Sequence, residues 1–507
     1  MDKTQKFQFL WTRFFLVAGS LLFLFVYFML LIFDEKEDRL LADGWLFLFA
    51  LLFVAAMGAV CFINKEKMVR KPLSIKLLIL LYVLLFALQI FLVNKTYFYT
   101  GWDVGMMRYR LDSILLGGTM ADLSSDVGFS IFPNNLFLFY VLYLIQKVVL
   151  LFSVENTYLF CIYFSCLSVA ISCFLGSLTV RKLTENILIN WLYIISSTLF
   201  ILLSPWIVIP YSDTFGMFFV TLGLWAVICV NKPIVKWPLL AFSSIIGYMI
   251  KPTCLFILFA ALIIYLPRFI VSIRNKWKEV CILTASILLF CGINYATPLW
   301  IQHTFSFKLD PQLRMTYTHY LMMGLNKDSH GSFDGGDYWF STNIYGLEER
   351  QKANMEVVRE RLNTYTREEK LKLFREKLLW NFNDGTFAWT YEGNFFEVLF
   401  EHDNLINDFY MEVFHGDGAY YKLFRTIAQG IWLWILLGIP LLLCNLNKFA
   451  EEKALLIIAI SGLLVFLMIF EARARYLYLY SPIFLILSLC GYEGFYQRIL
   501  SLKKSHT

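Results

Sequence analysis

The sequence predicts an all-α polytopic membrane protein, a bundle of about twelve transmembrane helices with a mainly helical soluble region on its outer face. Three observations carry that reading. The 507 residues are 59% hydrophobic and only 16% charged, whereas a soluble globular chain carries roughly 25% charge. At least ten apolar runs reach the roughly 17–25 residues that span a bilayer. Lysine and arginine gather in short clusters between those runs, so the net charge of +6 reads as membrane anchoring rather than a nucleic-acid surface.

The first run, Trp11–Phe33, is too long for a signal-peptide core and lacks a small-residue cleavage site, which makes it a retained span. Spans at 45–63 and 77–93 follow. Basic clusters stand at 65–76, at Arg181 and Lys182, at Lys232 and Lys236, at 268–278, at Lys448 and Lys453, and in the tail. The positive-inside rule places all of these, with both termini, in the cytoplasm. Residues 94–134 then lie outside.

A crossing by the next apolar run, 135–152, would force Arg181 and Lys182 outside. The economical solution is that this run, which follows Pro133-Asn134-Asn135 and carries Lys147, lies in the interface or re-enters. Spans 157–180, 187–209, 214–230, 237–250, 252–267 and 279–299 then alternate with every basic loop inside. The short pair 237–250 and 252–267 meets at Lys251-Pro252, where proline breaks the helix. The chain thus divides into a transmembrane module 1–299 with an outer loop 94–156, an extracellular region 300–423, and a C-terminal module 424–507. That last module holds spans 424–444, 454–470 and 476–496 and a cytoplasmic tail.

In this topology the polar residues that interrupt apolar runs collect on the outer face. Asp103 follows Trp102 in "TGWDVG", Asp213 closes "PYSD", Lys251 opens "KPT", and Glu471, Arg473 and Arg475 stand in "EARARYL". Each has a structural explanation: a solvated loop acid, a helix N-cap, a snorkelling lysine, an i,i+4 pair of Glu471 with Arg475. Arg473 and Arg475, two apart on a helix, would point to different faces. Taken together, fixed cations at the interface suit a lipid phosphate, and a positioned aspartate suits removal of a proton from a hydroxyl acceptor. Gly105 would turn the chain from Asp103 into a short helix starting near Met106.

The ten cysteines fall in or beside apolar runs and none lies in 300–425, so neither a disulfide framework nor a cysteine metal site is indicated there. The six histidines form no HxH or HxxxH pair, so no dedicated zinc site is expected.

"GWDVG", "FPNN" (Phe132–Asn135), "PYSD" (Pro210–Asp213), "KPT" (Lys251–Thr253) and "EARARYL" (Glu471–Leu477) together resemble the GT-C superfamily. These are multi-spanning transferases that use polyprenyl-phosphate sugars, and the flavour is that of Gram-positive cell-envelope enzymes with a Pro-Asn-Asn motif. The resemblance implies juxtamembrane helices in the first outer loop that do not cross. It implies Asp103 as the catalytic carboxylate of an inverting transfer, and Asp213 as a second outer carboxylate in the same cleft. The candidate partners of the donor phosphate are Lys251, Arg473 and Arg475, and the candidate substrate-binding residues are Trp102, Asn134, Asn135, Tyr211, His319 and Glu471.

Many relatives carry an acidic pair in the first loop. Here Val104 follows Asp103 and the next acid is Asp112, so no cofactor is firmly implied and a divalent metal stays open. The implied partners are a polyprenyl-phosphate sugar, an envelope acceptor (wall glycan, teichoic acid, glycolipid or protein) and membrane lipid, with no nucleic acid. "THYLMMGLN", "GSFDGGDYWF" and "NDGTFAWTYEG" in the outer region combine aromatic and acidic groups suited to sugar, although Gly335-Gly336 between Asp334 and Asp337 also suits a turn. Between them, Leu347–Trp380 has the spacing and charge of a solvated helical pair.

Two other classes compete. A transporter or lipid flippase predicts internal repeats, discontinuous helices and mid-membrane charge, and no convincing repeat is found. A non-catalytic envelope scaffold would not require the outer acids and cations.

Overall fold

The computed structural model describes residues 3–33, 73–121, 125–184, 186–271, 273–393, 396–398 and 404–504, together with positions 48, 52, 55, 56 and 400. The expected span 45–63, apart from those isolated positions, and the basic cluster 65–76, apart from Leu73–Lys76, lie outside the described residues. The protein is an all-α polytopic membrane protein: among the described residues, eleven helices are long and apolar enough to cross a bilayer. Ile187–Leu202 is a shorter apolar helix. Its last turn widens to a π form at Thr198–Leu202, and a 3₁₀ turn, Pro205–Val208, leads on to Tyr211; the expected 187–209 span is therefore not one continuous helix.

Burial separates the post of the bundle from its lipid face. The most apolar stretch of Arg475–Leu502 is 94% buried, whereas that of Lys276–Thr304 is 11% buried. The C-terminal helix is thus the element around which the others pack, and the long helix before the polar region presents its side chains away from the bundle. Small residues permit the closest approaches. A side chain on Gly491 would collide with the carbonyl of Gly438, so these two helices meet backbone to backbone.

The helix Ser212–Cys229 starts at Asp213 and ends at Val227 and Ile228, which line a cavity with Lys182, Lys236, Arg268 and Lys276. Eighteen helical residues span roughly 27 Å. The next helix, Pro233–Ile250, returns from that cavity to Lys251. These four basic residues therefore gather at one end of the bundle, and Asp213 and Lys251 at the other.

Pro133–Leu150 qualifies as a span by length and apolarity, yet both its ends return to one short segment. Asn135 lies 3.4 Å from the Tyr211 hydroxyl, which bonds Asp103. Gln146 accepts from Thr157 at 2.7 Å, and neighbouring Asn156 accepts from Tyr99 at 2.7 Å. Tyr99 and Asp103 are four residues apart, which limits their separation to roughly 14 Å. The helix lies along the Asp103 end of the bundle instead of running from one end to the other.

The polar region between Thr304 and Tyr421 is built from the helices Tyr317–Gly324, Gly335–Thr342, Leu347–Thr364, Arg367–Phe382 and Leu405–Phe414. Leu347–Thr364 and Arg367–Phe382 form the expected pair, the second opened by a capping box of Thr366 and Glu369. Asp334 caps the helix Gly335–Thr342, and Asp337 pairs with Arg361 at 2.6 Å, so "DGGD" is a helix start. The region is tied down firmly. Trp206 donates to the Thr386 carbonyl, Trp432 to the Phe382 carbonyl, and strand Tyr99–Thr100 pairs antiparallel with Phe396–Val398.

Candidate functional site

Helix starts and breaks place the site. Asp103 sits in the first turn of Trp102–Leu115 and is exposed. This helix begins at Trp102 rather than near Met106, because the turn is made earlier: Trp102 itself takes a left-handed φ of 45°, a conformation uncommon for a bulky residue. Its ring is held edge-on by Tyr211 at 4.9 Å and lies 4.5 Å from the Arg475 guanidinium. Tyr211 stands just before the helix Ser212–Cys229 and donates its hydroxyl to Asp103 Oδ2 at 3.0 Å. Burial pushes the Tyr211 phenol well above its ordinary value, and the Asp103 charge pushes it the same way. It therefore remains a proton donor to the carboxylate at neutral pH.

Beside this exposed acid runs a chain of alternating charges, buried at Asp213, Lys251, Arg475 and Glu471 and partly buried at Arg473 and Glu392. Asp213 lies in the first turn of its helix but does not cap it; its carboxylate pairs with Lys251 and, at 3.1 Å, with Arg475 Nε. Arg475 Nη1 lies 3.4 Å from Glu392 Oε2, the oxygen that Arg473 Nη1 reaches at 2.8 Å. Arg473 also holds Glu471 at 2.8 Å, and carboxylates on both sides keep its guanidinium charged. Lys251 lies 3.5 Å from the Tyr476 ring centroid. Three cations, Lys251, Arg473 and Arg475, thus face three carboxylates, Asp213, Glu392 and Glu471.

The pairing differs from the helical spacing expected in "EARAR". Residues Glu471–Ala474 are not helical, and the helix starts only at Arg475. In extended chain, side chains two apart share a side, so Arg473 and Arg475 converge on Glu392. Glu471 pairs with Arg473, not with Arg475 at i,i+4. The turn is fixed from the polar region: Lys377 donates to the carbonyls of Gly324 and Phe470, both at 2.7 Å, and Ala472 N donates to the Gly331 carbonyl at 2.7 Å.

Glu392 is a site residue that the sequence reading passed over. Its signal lay in "NDGTFAWTYEG", an acid beside aromatics. Asp384 caps that turn by accepting from Thr386 and Ala388, which holds Phe387 and Ala388 at positive φ of 56° and 62°. Such strain persists only where its surroundings enforce it. Aromatic residues of the polar region cover the cluster: Phe333 lies 5.7 Å from Arg473, while Tyr320 and Tyr338 are close enough to feel the Asp103 charge.

His319 is corrected. It is buried at 1% exposure with Nδ1 2.8 Å from Ser341 Oγ, which bonds Asn354. Its neighbour Tyr320 is the residue of "THYLMMGLN" directed to the cluster. Asn135 reaches the site through Tyr211, whereas exposed Asn134 donates to Asn135 at 3.1 Å. Among the described residues, no three His, Cys, Asp or Glu side chains group as a metal site. Around Asp103, the described oxygen ligands are its own carboxylate and the Asn135 amide, joined through Tyr211.

The chain matches a family described as a conserved hypothetical integral membrane protein over residues 2–494, and it belongs to that family. No curated protein and no solved structure matches it.

Proposed function

We propose that this integral membrane protein is a glycosyltransferase that moves a sugar from a polyprenyl-phosphate carrier to a cell-envelope acceptor by inverting transfer. The observation that carries the reading is the join at Tyr211. An exposed acid, Asp103, is bonded to the residue that begins the Asp213 helix and touches Arg475, so a hydroxyl-activating group and a cation-rich pocket share one wall. In this reading Asp103 removes the acceptor proton as its oxygen attacks the sugar carbon, and the leaving phosphate remains beside Lys251, Arg473 and Arg475. The basic end of the bundle faces the cytoplasm with both termini, and the Asp103 end faces outward.

One feature of the cluster supports phosphate binding there. Arg475 Nε and Nη1 and Asp213 Oδ2 are buried, yet none makes an aligned hydrogen bond despite the short ion-pair distances. Buried donors left so cost about 1–3 kcal/mol, and a phosphate oxygen would satisfy them. Because each cation already faces a carboxylate, the phosphate must displace one, and Glu392 is the partner on the polar-region side. The test is mass spectrometry of envelope polymers from a deletion strain carrying wild-type protein or Asp103→Ala. A glycan substituent present only with wild-type protein is expected; identical polymers in both strains would overturn the reading.

One observation favours a transporter or flippase instead: the Asp213–Lys251–Arg475 network is buried between helices, as in ion-coupled carriers. Lipid-linked precursor accumulating on the cytoplasmic face of the deletion strain, with the purified protein unable to transfer sugar, would select that class.

A further inference from the structure

At the opposite end of the bundle from Asp103, the helix ends around Val227, Trp237 and Tyr265 enclose a cavity of about 320 Å³. Its charged lining is partly spent internally. Lys276 pairs with Glu279, and Arg268 lies 3.6 Å from Glu451. That leaves Lys182, Lys236 and Glu452 facing the cavity with no hydrogen bond or ion pair to another described side chain, two positive charges against one negative. Lys236 Nζ lies 5.7 Å from the Trp237 ring centroid, a cation–π contact that leaves its N–H donors free of a described carboxylate.

Trp237 supplies a second, independent observation. Its ring is 2% exposed, set edge-on against Tyr265 and Phe269 at 5.5 and 5.6 Å, and it lines the cavity. Its Nε1–H is buried with no acceptor among the described residues. Buried indole N–H groups usually find a partner, and this group can only donate. Two ammonium groups with no described carboxylate at ion-pair distance and one N–H without an acceptor select a ligand rich in acceptors and negative charge. Glu452 suits a hydroxyl on the same ligand.

We infer that this cavity binds a phosphate ester of a glycerol-like compound, entering from the basic end either as a lipid headgroup or as a soluble molecule. The site is separate from the Asp103 cluster, which lies a full helix length away. A phosphate oxygen accepts from Lys182, Lys236 and Trp237, and the adjacent hydroxyl donates to Glu452.

Native mass spectrometry of the purified full-length protein, titrated with phosphatidylglycerol, diacylglycerol and glycerol phosphate, tests it. Phosphatidylglycerol held more tightly than diacylglycerol identifies a lipid source, and retention of glycerol phosphate identifies a soluble one. In either case Lys182→Gln/Lys236→Gln should weaken the bound probe roughly ten- to hundred-fold, since hydrogen bonds to charged groups are lost. Trp237→Phe, which keeps the ring and removes one N–H, should weaken it a few-fold. Phosphate-independent lipid binding with no retention of glycerol phosphate would overturn the inference. So would phosphate affinity unchanged in both variants.

Discussion

The Tyr211 hydroxyl donates to Asp103 Oδ2 at 3.0 Å and comes within 3.4 Å of Asn135 Oδ1. One phenol therefore links the helix Trp102–Leu115, the "FPNN" turn and the start of the Asp213 helix. Tyr211→Phe keeps the ring packing on Trp102 and removes this tie. Hydrogen bonds to charged groups are worth about 1.5–3 kcal/mol, so sugar transfer should fall roughly ten- to hundred-fold with expression and insertion unchanged. Transfer at the wild-type rate would show that Asp103 is positioned without Tyr211.

Glu392 occupies the Arg473 and Arg475 guanidinium groups where a phosphate would bind. If it is the carboxylate displaced, Glu392→Gln should bind polyprenyl phosphate more tightly, by roughly ten-fold. Equilibrium binding to the purified variant in detergent measures this. Weaker binding would mean that Glu392 organises the arginines rather than competing with the carrier.

Asp213 and Lys251 are buried at 2% and 4% exposure. Removing one partner leaves an uncompensated buried charge, at a cost of about 3–5 kcal/mol, whereas removing both is much less costly. Asp213→Ala should therefore lower the thermal midpoint in detergent sharply, and Asp213→Asn/Lys251→Met should recover most of it while remaining inactive. Single and double variants of equal stability would show that the pair does not couple.

The all-α polytopic fold was largely legible because apolar run length is read directly against bilayer thickness. The cluster was half legible. Asp103, Asp213, Lys251 and Arg475 were visible because charged residues interrupt apolar runs. Glu392 was not, since its proximity depends on how the Asp384-capped turn docks through Trp206 and Gln429. His319 misled for a related reason: adjacent helical residues point about 100° apart, and the segment directs Tyr320 to the site. The arginine pairing was misread because the chain around Ala472 is extended, a tertiary choice enforced by Lys377 and Gly331.

Burial lowers the His319 imidazole to about 4, against the upward pull of Asp337. Since the unfolded residue has the ordinary value near 6.5, the unfolded state binds more protons between those values. Stability of the polar region is therefore full above pH 6.5 and is lost as pH falls toward 4. Protection factors of residues 317–364, taken relative to the intrinsic exchange rate at each pH, should be high at pH 7 and markedly lower at pH 5, with the difference reduced in His319→Gln. Exchange equally protected at both pH values would exclude this linkage.

Cysteine labelling checks the lie of Pro133–Leu150. Ala121→Cys and Glu155→Cys flank it at exposed positions, unlike buried Met120. Both should react with an impermeant reagent from outside intact cells. Reaction of the Glu155→Cys thiol only after permeabilisation would mean that the helix crosses.

Sugar transfer by purified Asp103→Asn is the most direct measurement. The substitution keeps the side-chain shape and removes the base, and general-base catalysis contributes roughly 10²- to 10⁴-fold. Transfer should drop at least about a hundred-fold while carrier binding stays unchanged. Transfer near the wild-type rate would contradict the assignment of Asp103 as the catalytic carboxylate.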